Sequence, residues 1–271
     1  MYIALHRARS SSTERGPTMM RILTSFYGYG VKATDGEIGT AHEFLFDDNT
    51  WAIKYMVVRT GSWLTGRKIL ISPGAIGRPD LSLKSIPVSL PMKQVENSPD
   101  IDTDKPVSHQ QLDLLHEYYG WPFLRVGEGL VPLPLATSPA ALEEVEKVIA
   151  SEKERSDPHL NSSRDVAGYH IQTSDDQVGH LEDFILDDER WQIRYIVLDT
   201  KNWFPGRHIL ISPSWIKTIS WAQRKVYVDL TRESLENSPE YDSRMPVNRE
   251  YEVRLYDYYG RPIDRAAFSV R

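Results

Sequence analysis

The chain of 271 residues contains no cysteine, which removes disulfides, thiolate metal sites and thiol nucleophiles together. No run of about 18 apolar residues occurs, so no segment reads as a transmembrane helix. The first residues carry Arg7, Arg9, Arg15 and a Ser10-Ser11-Ser12 run without an apolar stretch, unlike a secretory signal. Excess positive charge is also missing. The net charge is −6, and the segments 28–122 and 168–262 are each acidic, which weighs against binding along a nucleic-acid backbone. Gly61, Gly66, Gly74 and Gly77 form neither a GxGxxG nor a Walker-type loop, so no phosphate cradle is expected. These absences fit a soluble protein of a reducing cytoplasm.

What is there is a duplication. Asp47-Asp48-x-x-Trp51-x-Ile53-x-Tyr55-x-Val57 returns as Asp187-Asp188-x-x-Trp191-x-Ile193-x-Tyr195-x-Val197. Trp63-x-x-Gly66-Arg67 and the following Ile-Leu-Ile-Ser-Pro return from Trp203 to Pro213. Glu96-Asn97-Ser98-Pro99 and Tyr118-Tyr119-Gly120 return as Glu236-Asn237-Ser238-Pro239 and Tyr258-Tyr259-Gly260. Of the 40 pairs between 34–73 and 174–213, 18 are identical, so the two stretches are copies. The offset far exceeds solenoid repeats, so each copy is a domain.

Within a copy, the segments 29–33 and 169–173 read as opening strands, followed by Asx-rich turns at Asp35 and Asp175. Trp51, Ile53, Tyr55 and Val57 alternate, which predicts a strand with one buried face. Further strands are expected at 67–72, 76–80 and 84–90, with 216–221 and 224–230 their second-copy counterparts. Six short strands per copy predict a small barrel, since closure removes exposed edges. Ser108 and Asn248 are suited to cap a C-terminal helix in each copy, with Gly120 and Gly260 at its end. Between the copies, Ser138-Pro139 opens a predicted helix over 138–155.

The unit Asp35-Gly36-Glu37-Ile38-Gly39, Phe44-Leu45-Phe46-Asp47-Asp48 and Trp51-x-Ile53-x-Tyr55-x-Val57-Val58, with Arg67-Lys68-Ile69-Leu70-Ile71-Ser72-Pro73, resembles the PRC-barrel family. That family includes the cytoplasmic domain of the photosynthetic reaction centre H subunit and the C-terminal domain of the ribosome maturation factor RimM. The resemblance covers about 28–92 and 168–232, and its trailing helical segments resemble those of stand-alone bacterial tandem PRC-barrel proteins. It implies a mainly β (α+β) chain of two tandem six-stranded barrels, each followed by a helix. The expected layout is a disordered leader over 1–20, a first barrel over 21–122, a helical linker over 123–163 and a second barrel over 164–271. The implied role is a non-enzymatic interaction or scaffold protein that docks a protein partner or a second copy of itself. Alternatives are an accessory factor peripherally associated with a membrane or photosynthetic complex, and an RNA or ribosome maturation factor. The acidic domains argue against the last.

Candidate chemistry is sparse. The acid pairs Asp47-Asp48 and Asp187-Asp188 could hold a divalent cation, but lack EF-hand spacing and read as turns. No histidine is kept in both copies, and Ser72 and Ser212 have no repeated base, so no catalytic residue, metal or cofactor is expected. Trp63, Arg67, Trp203 and Arg207 form a repeated pair that could serve an interface, because Trp and Arg dominate hot spots. The alternative is a Trp plugging the barrel mouth, with Arg stacked on it or paired with a turn Asp. Trp215 and Trp221 occur only in the second copy, which points to a specialised apolar surface there.

Overall fold

A computed structural model describes residues 20–99, 107, 109–121, 159–200 and 207–263. The helix expected over 138–155 and most of the expected leader lie outside them. Short strands dominate, gathered into two mixed sheets with few helices. A three-residue strand, β1 (Met20–Ile22), comes first. The first copy then supplies β2 (Gly30–Lys32), β3 (Glu37–Asp47), β4 (Ile53–Thr60), β5 (Lys68–Ile71) and β6 (Ser85–Pro87). The second begins at β7 (Leu160–Ser162) and β8 (His170–Gln172), followed by β9 (Gln177–Asp187), β10 (Gln192–Asp199) and β11 (His208–Ile211). It ends with β12 (Ile216–Ser220), β13 (Lys225–Val228) and β14 (Glu240–Tyr241).

One sheet runs β5-β4-β3-β2-β6 and the other β12-β13-β8-β9-β10-β11-β14. Among the described strands, only β2–β6 and β8–β13 pair in parallel. The expected closed six-stranded barrel is not what these pairings give: among the described residues neither order returns on itself. Each sheet instead takes its additional strand from the other copy. β1 pairs with β9, Met20 opposite Asp187, while β7 pairs with β3, Leu160 opposite Asp47. The two registers are identical under the 140-residue offset, so the exchange is reciprocal.

The alternation predicted from Trp51 also needs correction. Lys54 is an extra residue in β4, because Phe46 faces Ile53 while Leu45 faces Tyr55. Such a bulge reverses the side on which later residues point. Ile53, Met56 and Val58 therefore enter the main core, whereas Tyr55 and Val57 turn to the other side with Leu45, Leu70 and Leu115. Both faces of β4 are buried. Leu115 lies on α2 (His109–Tyr119), the helix that covers this second face. Gly39 and Gly179 are required where β3 and β9 cross their neighbours: a Cβ would lie 2.1 Å from the Arg59 carbonyl oxygen and 2.3 Å from that of Asp199.

The repeated Glu-Asn-Ser-Pro segments end two short helices, α1 (Met92–Glu96) and α3 (Arg232–Glu236). Their terminal carbonyls need donors. Arg67 donates to the Val95 and Ser98 carbonyls at 3.2 and 3.4 Å, and Arg207 to Glu236 at 2.6 Å and to Ser238. Tyr118 and Tyr258 hydroxyls donate to Gln94 and Ser234 carbonyls, both at 2.9 Å. Asn248 caps α4 (Arg249–Tyr258) as expected, accepting from Tyr251 N at 2.8 Å.

Candidate functional site

The junction of the two copies is the most elaborated region. Asp47 and Asp187 fold their turns by accepting backbone N–H groups: Asn49 and Thr50 at 3.0 and 2.8 Å, Glu189 and Arg190 at 3.1 and 3.0 Å. The turn reading of these acids therefore matches the structure. Each turn delivers a tryptophan in left-handed backbone geometry, Trp51 at φ 60° and Trp191 at φ 52°. That conformation is uncommon for a bulky side chain. Here it aims each carbonyl at the other copy: Ile53 N donates to Trp191 O at 2.8 Å and Ile193 N to Trp51 O at 2.9 Å. Ala52 bridges Gln192, its own counterpart, so a pseudo-twofold axis passes between them.

The rings are buried across that axis. Trp51 stacks on Phe46 at 5.4 Å and reaches Phe184 of the second copy at 6.5 Å. Trp191 stacks on Phe44 of the first copy at 5.7 Å and lies 6.2 Å from Phe26. Buried residues of both copies consequently form one continuous core.

Polar contacts sew in the exchanged segments. Thr24 donates its N–H at 3.3 Å and its hydroxyl to Asp183, whose carboxyl is pushed up to about 6 by burial and partly held down by those bonds. On the other side, Ser162 donates to Glu43, and Arg164 Nε donates to the His42 carbonyl at 2.9 Å. Tyr27, 2.8 Å from the Ser163 hydroxyl, is raised to about 12, chiefly by burial.

Two further buried pairs escaped sequence reasoning. The Tyr55 hydroxyl lies 2.6 Å from His116 Nε2, and the counterpart Tyr195 donates to Glu252 at 2.6 Å. His116 is buried. Burial raises the Glu252 carboxyl, which the Tyr195 hydroxyl bond opposes. The repeated tyrosine was a usable signal. Its partner was not, because it is a histidine in one copy and a glutamate one helical turn earlier in the other.

The described members of the proposed surface differ in their burial and partners. Trp63 is 36% exposed, and its ring N–H donates to the Ile38 carbonyl at 2.7 Å. Arg67 and Arg207 bind the helix-end carbonyls described above. Trp203 lies outside the described residues. Trp215 is only 2% exposed, packed on Tyr256 and Tyr259 at 5.4 and 4.6 Å, so its expected surface role is overturned. It sits where the chain turns inward after Pro213, a position that the first copy fills with Ala75. Trp221 is partly buried against Tyr169, and one side of it walls an inter-copy cleft.

Among the described residues, no group of three or more His, Cys, Asp or Glu converges as a metal site would require. Residues 158–235 match the PRC-barrel domain family. The PRC-barrel match begins before β7 and ends within α3, so it includes the strand that this chain donates to the first copy's sheet. No curated protein matches the chain.

Proposed function

We propose that the chain is a tandem PRC-barrel protein, with the first copy a second domain of the same family, and that it works as a non-enzymatic scaffold for a protein partner. The observation supporting this most directly is how the repeated residues are used. The aspartates fold turns, the tryptophans build the junction, and the arginines and tyrosines hold helix ends. A duplicated catalytic site would have left repeated polar groups converging on a cavity. A fused and mutually braced pair of sheets is suited to presenting a rigid surface. No helix among the described residues is long and apolar enough to cross a membrane.

The test is affinity isolation from native lysate, followed by reconstitution from purified components. A stoichiometric complex that forms again in vitro supports the scaffold reading. Turnover of a substrate by the purified chain, lost on substitution of one buried acid, overturns it.

A further inference from the structure

The two copies finish their sheets differently. β12 is the last strand of its sheet, with β13 its only strand neighbour among the described residues. The segment at the same place in the first copy, 76–80, makes isolated bridges instead, Ile76 to Val88 and Asp80 to Ser85. Asp80 and Ser85 exchange both backbone bonds, at 2.8 and 2.9 Å. Their counterparts Ser220 and Lys225 face each other in the same register. In an antiparallel pair, the residue next to such a bonded pair turns its N–H and C=O outward. In β12 that residue is Ile219. Its counterpart is Pro79, which has no N–H to offer. Proline is one of the devices that close an exposed edge. The first copy thus closes its edge, while the second presents Ile-Lys-Thr-Ile, a run suited to pairing.

That edge borders the inter-copy cleft. Ile216, Lys217, Thr218 and Ile219 all line a space of about 750 Å³, together with Asp48 and His159, which meet at 2.8 Å. Consecutive strand residues point to opposite faces, so a space lined by all four runs along the edge of β12 and not over one face. A strand takes roughly 3.3 Å per residue, 4.8 Å to its neighbour and 10 Å through the sheet, so the cleft has room for about five extended residues. That is a single strand. A second copy would bring a whole sheet, and the turn carrying Asp48 stands in its way. The Trp221 ring, in place of Leu81 of the first copy, gives an incoming side chain an apolar seat.

We propose that β12 takes up an extended peptide segment of a protein partner as an added strand, bonded to the N–H and C=O of Ile219. Main-chain bonds supply the affinity, and alternate side chains set against Trp221 supply the selectivity. The proposal rests on the scaffold reading and names the partner's chemistry: a proline-free run of about five residues alternating apolar and polar. The chain already joins its own copies by strand addition, β1 onto β9 and β7 onto β3.

The probe is a phage-displayed library of random dodecapeptides, selected on the full chain. Selection is expected to return alternating apolar sequences, and the synthesised peptide should bind with a Kd of about 10–100 μM by calorimetry. Methylating its backbone nitrogens one at a time should weaken binding at every second residue, because alternate N–H groups face the neighbouring strand. This readout leaves the protein itself unaltered. Ile219→Pro places the first copy's residue at the edge and should weaken binding about tenfold, the loss of one main-chain bond. Its melting temperature should stay near wild type, since the first copy already carries proline there. Failure to select a binder overturns the proposal. So does binding that lacks the two-residue methylation pattern or is equal on Ile219→Pro. A concentration-dependent dimer that Ile219→Pro dissolves also overturns it, because a second copy would then hold the edge. A partner captured equally by wild type and Ile219→Pro sinks the edge alone and leaves the scaffold reading standing, which fails instead by the substrate turnover named above.

Discussion

Single residues at the junction carry opposite kinds of load. Trp51 and Trp191 fill space, and truncating either to alanine should cost about 3–5 kcal/mol. Urea unfolding of Trp51→Ala and Trp191→Ala would check this, with near-wild-type midpoints the contrary result. Asp183 works against the fold at neutral pH. Its carboxyl, ordinarily near 3.8, is raised to about 6 by burial, so the folded state holds the proton more tightly than the unfolded chain does. Its favourable contribution is complete below about pH 4 and is lost as pH rises through about 6. A shift of roughly two units corresponds to about 3 kcal/mol. Asp183→Asn, which can still accept from Thr24, should therefore flatten stability between pH 4 and 7 and raise it at pH 7.5. Denaturant midpoints at several pH values measure this, and an unchanged slope would count against the buried-acid account.

At the scale of elements, the C-terminal helices are held by a tyrosine on the facing strand, yet through different chemistry in each copy. Tyr195→Phe removes the hydroxyl that Glu252 accepts from, leaving a 1% exposed carboxylate without that bond. The expected loss is about 1–3 kcal/mol, and adding Glu252→Gln should recover part of it, a coupling that a double-mutant cycle resolves. The elements were largely legible in the sequence: turns at Asp47 and Asp187, strands before Ser72 and Ser212, and the Asn248 cap all carry local signals. The bulge at Lys54 was not, since one inserted residue leaves the spacing of Trp51, Ile53, Tyr55 and Val57 untouched while reversing where two of them point. Trp215 misled for a related reason. Its absence from the first copy looked like surface specialisation, but the position is interior in both, with Ala75 equally buried. Exchange of β1 and β7 left no trace either, because three residues carry no periodicity and pairing partners are set by the whole assembly.

For the whole molecule, the shared core predicts one cooperative unfolding transition for both copies rather than two. A protease site inserted near residue 140 should, once cut, leave the halves associated on gel filtration under native conditions. Separation of the fragments after cleavage, or two resolved calorimetric transitions, would contradict a single core. The exchanged strands also set a timetable for synthesis. Met20 pairs with Asp187 and Leu160 with Asp47, so the earliest described strand must wait for most of the chain to be made. At roughly 5–20 residues per second, that wait is on the order of 10–30 s. Until β7 is made, the first copy emerges from the ribosome with β3 lacking that neighbour, and β1 stays without β9 for longer still. A nascent chain with such open edges is a natural client for a chaperone, and crowded translation of neighbouring copies invites β1 of one chain to close on β9 of another.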